Sequence, residues 1–227
     1  MRIPFFSRPP SIAHYDQEVA SYKRLLKRGY RPSSLIDVGA YEGNWARAAW
    51  SVFGHVPTLL VEPQRAKHAL LQKLCQSVPD CRLAPTVLSD IEGDTVTFYE
   101  METGSSLLPE RSNAPRKEVS LVTTTLDQLL FDHANTFLKI DAQGAELQIL
   151  RGGMETLQRV SLVQLEAAVA EYNEGAPSLR QVLEFMETLS FSLLDISGWT
   201  RLQSHLVQVD LLFVPANSPL RPGAFIF

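Results

Sequence analysis

Residues 33–50 read SSLIDVGAYEGNWARAAW. Leu35, Ile36 and Val38 form a short apolar run bounded by turn formers, which predicts a strand buried on both faces. Trp45, Ala49, Trp50 and Phe53 then recur at helical spacing and give the following segment one apolar face. Between strand and helix stand Asp37, Gly39, Glu42 and Gly43, two carboxylates and two glycines in one tight turn. A strand–turn–helix unit of this kind opens a wound α/β sheet, and its corner is a ligand cradle in many such folds. Ordinary turns contain glycine too, so the meaning of the corner depends on the rest of the chain.

Outward from this unit, strand and helix patterns alternate without repeats or low-complexity linkers. An amphipathic helix over 16–28 precedes it, with Val19, Tyr22, Leu25 and Leu26 on one face. PTLLVEP (57–63) supplies a second strand, and Ala66, Leu70, Leu71 and Leu74 make the next helical stripe. RLAPTVLSD (82–90) reads as a third strand ending at Ser89 and Asp90, and GDTVTFYE (93–100) alternates like another. Residues 101–117, rich in Gly, Ser, Pro and Asn, read as a surface excursion. TFLKID (136–141) is a clear strand, followed by a helix over 145–157, and VSLVQLE (160–166) is another strand. After a helix carrying Leu179, Val182, Leu183 and Met186, FSLLDIS and HLVQVDLLFV are separated by a joint too short for a parallel crossover, so they pair antiparallel. The expected fold is α/β: a doubly wound, mostly parallel seven-stranded sheet with an antiparallel C-terminal hairpin strand. The domain expectation is an N-terminal extension and helix over 1–32, one domain over 33–215 and a tail over 216–227.

The 227 residues are 45% hydrophobic and 20% charged, enough for one sizeable core. A net charge of -4 offers no bulk attraction to phosphate backbones or anionic lipid, so no nucleic-acid partner is expected. Cys75 and Cys81 have no Cys or His partner at metal-ligand spacing and read as free thiols. No run has the length of a bilayer span and the N-terminus lacks the apolar core of a signal peptide, so a cytoplasmic location is expected, with oligomerisation left open.

Asp37, Glu62, Asp90, Asp141 and Glu166 each close a predicted strand, which in a wound sheet gathers them at one edge. Taken singly, each is equally well a turn-forming or capping carboxylate. Gly39 lets the backbone turn with positive φ, Gly43 keeps the helix entry uncrowded, and the amides at that helix start favour an anionic group. Glu62 at the end of the next strand stands where an acid accepts hydrogen bonds from two ribose hydroxyls. A dinucleotide or S-adenosylmethionine would suit this corner. The dinucleotide fingerprint needs a third glycine that D-V-G-A-Y-E-G lacks.

LIDVGAYEGNW resembles the first motif of class I S-adenosylmethionine-dependent methyltransferases, and with FLKIDAQGAELQILRGG it is similar to the FkbM family of O-methyltransferases. The likeness extends through LVEP, LSD, GSSLL, TTTLDQLL, VQLEAAVAEYNEG and QVDLLFV, over about 33–215. The resemblance implies a Rossmann-like fold, S-adenosylmethionine as cofactor and a small hydroxylated acceptor, a saccharide or secondary metabolite. It further implies that Asp37, Gly39 and Gly43 line the methionine end of the cofactor, that Glu62 holds the ribose, and that Ser89 and Asp90 lie beside the adenine. Tyr41 and Trp45 are candidate walls of the site, with core or turn packing as the alternative.

Asp141 is the candidate general base for the acceptor hydroxyl and Glu166 the second. Lys139 either shares a face with Asp141 or is an exposed neighbour or a sheet-face ion pair, and Glu146 reads as an acid favoured by a helix N-terminus. No metal is expected, since Ala142 and Gln143 rather than acids follow Asp141. The five histidines read as surface or structural, with His14 a candidate to fold over the acceptor. Two regions are candidates to select substrate: the excursion with Ser105, Ser106, Arg111, Arg116 and Lys117, as lid or solvated loop, and Tyr172, Asn173 and Glu174. The alternative among enzymes is an NAD-linked oxidoreductase, and from a different class a catalytically silent cofactor-binding partner subunit.

Overall fold

The computed structural model describes residues 12–171 and 173–221, with side chains from Asp16 onward. Tyr172, the side chain of His14 and the tail residues 222–227 therefore lie outside the described residues. The main sheet holds β1 (Ser34–Val38), β2 (Thr58–Val61), β3 (Cys81–Ala84), β7 (Thr136–Ile140), β8 (Val160–Ala168), β9 (Phe191–Leu202) and β10 (His205–Pro215) in the order β3-β2-β1-β7-β8-β10-β9. β10 runs antiparallel to both of its neighbours, while β3, β2, β1, β7 and β8 are mutually parallel. The fold is the expected one.

Alternation along the strands builds two cores. On one face Tyr22, Leu35, Trp45, Phe137, Leu162 and Leu212 pack beneath α1 (Ile12–Lys27), α2 (Asn44–Phe53) and α3 (Arg65–Gln76). On the other, Ile36, Leu138, Val163, Leu211 and Met186 pack beneath α4 (Glu146–Arg151), α5 (Met154–Leu157) and α6 (Leu179–Thr188). Four aromatic rings, Tyr22, Tyr30, Trp45 and Phe53, meet the wholly buried ring of Phe137 edge-on.

Four local readings change. Pro85 splits the expected third strand: β3 ends at Ala84, and β4 (Val87–Leu88) instead joins a separate sheet of order β4-β6-β5. That sheet contains β5 (Thr95–Glu100) and β6 (Lys117–Thr124), a strand its sequence pattern did not announce. The helix expected over 145–157 is two short helices separated by Gly152 and Gly153, where a side chain would meet the Ser89 carbonyl at 2.3 Å and press on Leu126. The 101–117 segment is a surface excursion only in part: Met101, Ser106 and Glu110 are buried, whereas Arg111, Asn113 and 115–117 are exposed. In α3, Leu71 is buried but Leu70 is exposed, which narrows that helix's apolar stripe. Cys75 and Cys81 are free thiols whose sulfurs lie 2.8 Å apart where α3 hands over to β3.

Candidate active site

The sheet order reverses between β1 and β7, so the loops that follow them face each other across a crevice. The β1 loop turns through Gly39 at φ +74 and Tyr41 at φ +50 and enters α2 at Gly43, φ +75. The β7 loop lies directly against it: the Asp141 amide donates to the Val38 carbonyl at 3.1 Å, and a Cβ on Gly39 would sit 2.0 Å from the Asp141 carbonyl oxygen. Gly39 is thus required by its left-handed backbone and by a neighbouring loop, not by a ligand alone. Gly43 does not line the crevice, and a Cβ there would meet Leu74.

Glu62 follows β2 and is 2% exposed. One carboxylate oxygen accepts the Tyr41 amide at 2.7 Å and the other the Gln64 amide at 2.8 Å. Burial pushes its carboxyl pKa up, against the pull of those two amides. Each oxygen keeps a lone pair for a ligand hydroxyl. Beside it, Val61, Val87, Leu88, Phe98, Leu107 and Ile149 form an apolar slot. Ser89 and Asp90 do not line this slot: the Ser89 amide pairs with Thr124 and its carbonyl packs on Gly152, which turns both residues away and leaves the wall to Thr86, Val87 and Leu88.

Tyr41 lines the mouth. Its hydroxyl donates to Glu102 at 2.6 Å, and the Lys67 ammonium lies 3.9 Å from its ring centroid while bridging Glu42 and Glu102. Residues of the 101–117 segment therefore do reach the crevice, through Glu102, Thr103, Ser105 and Leu107. Arg111, Arg116 and Lys117 are instead engaged by Glu171, the Glu110 carbonyl and Glu100.

Asp37 lies under the crevice floor with no exposed surface. It is in register with Lys139, whose ammonium donates to Asp37 Oδ1 at 3.1 Å and to the Val38 and Gly39 carbonyls at 3.2 and 2.9 Å, with Asp141 at 3.6 Å. Burial lowers the Lys139 pKa, yet the charges of Asp37 and Asp141 outweigh it and the net shift is upward. Burial likewise raises Asp37 against the pull of Lys139. Lys139 is a buried partner, not an exposed neighbour, and it fastens the two loops together.

Asp141 is a third exposed on its side chain, and Gln143 donates both amide hydrogens, to Asp141 at 2.7 Å and to Glu166 at 2.8 Å. Gln143 holds φ +52, and its own carbonyl accepts from Ser106 at 2.8 Å and from Asn173. Glu146 is not merely a helix-end acid: buried, it accepts the amides of Ala142 and Gly144 and so fixes this loop, and burial raises its pKa to about 7.

Three further residues complete the far end, and sequence reasoning missed them. Gln164 and Asp210 share the sheet face of Asp37 and Lys139, with Gln164 in register with Lys139 and Asp210 opposite Glu166. Gln164 donates to Glu18 of α1 at 2.7 Å and accepts from Tyr22 at 2.5 Å, and Tyr22 accepts from Trp45 at 2.7 Å. Burial, then the Asp141 charge, raises the Asp210 pKa to about 7 despite Lys139. The period-two spacing of Gln164 and Glu166 placed them on one face, but nothing local pointed to Glu18. His68 touches the Glu62 carbonyl at 2.9 Å and so has a structural partner. Among the described residues no group of three or more His, Cys, Asp or Glu is placed to hold a metal ion, and no helix is long and apolar enough to cross a membrane.

The methyltransferase FkbM domain profile matches residues 37–193. No curated protein sequence matches the chain. In fold it is similar to magnesium protoporphyrin IX methyltransferase of Synechocystis PCC 6803 with bound SAH, at TM-score 0.55 and 8% identity over 95% of this chain and 89% of that one. It is also similar to a putative RNA methyltransferase from Pyrococcus horikoshii, at TM-score 0.51 and 12% identity over 94% of each chain. A third likeness is to precorrin-6y C5,15-methyltransferase from Geobacter metallireducens, at TM-score 0.50 and 10% identity over 94% of this chain and 92% of that one. At such identities the likeness speaks to the fold.

Proposed function

The chain belongs to the FkbM methyltransferase family, and from that premise we propose that it moves a methyl group from S-adenosylmethionine to a hydroxyl of a small molecule, a saccharide or secondary metabolite. The observation that carries this reading is that Glu62 and Asp141 line one crevice, on either side of the glycine turn at the point where the sheet order reverses. The catalytic unit in this reading is 33–215.

The residues present suit the cofactor. The buried Glu62 carboxylate would take the ribose hydroxyls, the slot of Val61, Val87, Leu88 and Phe98 would take the purine, and the turn at Gly39 would face the methionine end. When bound, the cofactor supplies an electrophilic methyl group on a sulfonium. The chain's own part is to align an acceptor oxygen and keep water out, from which much of the rate can come. Asp141, held by Gln143 and partly open to the crevice, takes the hydroxyl proton; Glu166 is the second carboxylate within the same amide bridge.

Isothermal titration with S-adenosylhomocysteine and, separately, NAD tests the reading. Saturable binding of the thioether alone, weakened about a hundredfold by Glu62→Ala through the lost charge-assisted bonds, is expected. Binding of NAD instead, or of neither, would sink it. The family match already favours methyl transfer over the oxidoreductase alternative. A silent subunit would bind the thioether and turn over no hydroxylated acceptor.

A further inference from the structure

Cys75 lies in the last turn of α3 and Cys81 opens β3. The turn between them is fixed by its own backbone: the Ser77 amide donates to the Leu74 carbonyl at 3.0 Å, the Val78 amide to the Cys75 carbonyl at 3.3 Å, and the Asp80 carbonyl accepts the Thr58 amide at 2.9 Å. Val78 in its middle is buried, and Asp80 turns the chain at φ +54. A turn held in this way presents the two thiols to each other, with their sulfurs 2.8 Å apart. A disulfide bond is about 2.05 Å long, so forming one asks for a movement of under about 1 Å.

Neither thiol is sealed off. Both are partly exposed, and Gln76, Ser77, Pro79 and Asp80 beside them are exposed. A hydrogen bond from Cys81 lowers the Cys75 pKa, and the same contact raises that of Cys81. Cys75 is therefore the readier nucleophile, and Cys81 stands where a second thiol can attack its sulfur. Among the described residues nothing completes a metal site around the pair.

We propose that Cys75 and Cys81 are a thiol–disulfide exchange site, which a small disulfide such as glutathione disulfide converts reversibly to a bridge stapling the end of α3 to the start of β3. The Cys75 thiolate attacks one sulfur of glutathione disulfide, forms a mixed disulfide and expels one glutathione thiolate, which takes up the proton that Cys75 gave up. Cys81, deprotonated in turn, attacks the Cys75 sulfur and expels the second glutathione. Two protein thiols lose two electrons in all, and one glutathione disulfide becomes two glutathiones. The proposal does not depend on the methyl-transfer reading. Its position bears on the crevice all the same: Lys67 of α3 bridges Glu42 and Glu102 at the mouth, His68 touches the Glu62 carbonyl, and Leu74, next to Cys75, fills the space beside Gly43. The bridge braces the helix that carries all three.

The test incubates the purified chain with glutathione disulfide at mildly alkaline pH, quenches with acid, alkylates with N-ethylmaleimide and reads the intact mass. Both thiols are expected to disappear together, leaving a monomer lighter by two hydrogens that takes up no maleimide and that dithiothreitol restores. Cys81→Ser should stop at a stable mixed disulfide on Cys75. The bridged chain should melt about 5 °C above the reduced one, as closing a short loop in the unfolded chain implies. Chains carrying two glutathiones, disulfide-linked dimers, thiols that do not react in the folded chain, or a bridged chain that melts no higher would each overturn the proposal.

Discussion

The two ends of the crevice are built by different means. At the Glu62 end the chain uses backbone: two amides on one carboxylate, a left-handed glycine, and a second loop pressed against that glycine. At the Glu166 end it uses side chains brought from afar, Glu18 and Tyr22 of α1 meeting Gln164 of β8 across 146 and 142 residues. Backbone geometry fixes a shape common to any ligand with a ribose, while side chains can be exchanged without disturbing the fold. The first end is therefore suited to a constant partner and the second to a variable one.

The sharpest separation of the two ends is Asp141→Asn. It removes a candidate base but keeps a group of the same shape that can still hydrogen-bond to Gln143. Turnover should fall about a hundredfold to ten-thousandfold, with affinity for S-adenosylhomocysteine nearly unchanged. Equal losses in both would mean that Asp141 serves the whole crevice, and the division would fail.

Gly39→Ala attacks the seam itself. The new methyl would lie 2.0 Å from the Asp141 carbonyl at a backbone φ of +74, so both loops must move. A destabilisation of about 3 kcal/mol is expected, seen as a drop of about 10 °C in melting temperature, together with loss of thioether binding. A variant that melts normally would show that the loops are not packed as described.

A third expectation concerns pH. The Glu146 carboxyl is raised from an ordinary 4.5 to about 7, so the folded state prefers it protonated. Its contribution to stability is full below about pH 4.5 and is lost as pH rises through about 7, up to about 3 kcal/mol in all. Glu146→Gln can keep the amide acceptor for Ala142 and Gly144 on one oxygen yet has no proton to lose. Denaturant unfolding across that range should therefore slope downward in the parent and less steeply in the variant. Parallel slopes would assign the effect elsewhere, Asp210 first, since burial raises it to the same range.

The same division explains what was legible in the sequence. Gly39 and Glu62 sit within one βαβ unit, where spacing translates into geometry, and the wound sheet with its C-terminal hairpin followed from strand lengths and one short joint. Asp90 failed because the strand before it leaves the main sheet at Pro85, a change of partner that no local pattern encodes. β6 was hidden because its residues alternate between exposed and half-buried, so no strong apolar period marks it. Glu18 and Asp210 carry no local signal: a long-range bond from Gln164 brings Glu18 of α1 to the site, and the antiparallel register of β10 sets Asp210 opposite Glu166.

The mildest expected effect tests the contact between α1 and Gln164. In Tyr22→Phe the ring remains against Phe137 and Trp45, but Gln164 Oε1 loses its donor at 2.5 Å. The loss is partly made good, because the Trp45 indole already lies 3.3 Å from the same oxygen and can turn fully to it once the hydroxyl is gone. The cost should be about 1 kcal/mol, near the net worth of one buried hydrogen bond rather than of an orphaned pair. Gln164 still holds Glu18, so the wall shifts without collapsing. Acceptor affinity should weaken a few-fold and thioether affinity should not change; if both move together, the side-chain end and the backbone end are one unit, and the difference between them is only in how each was built.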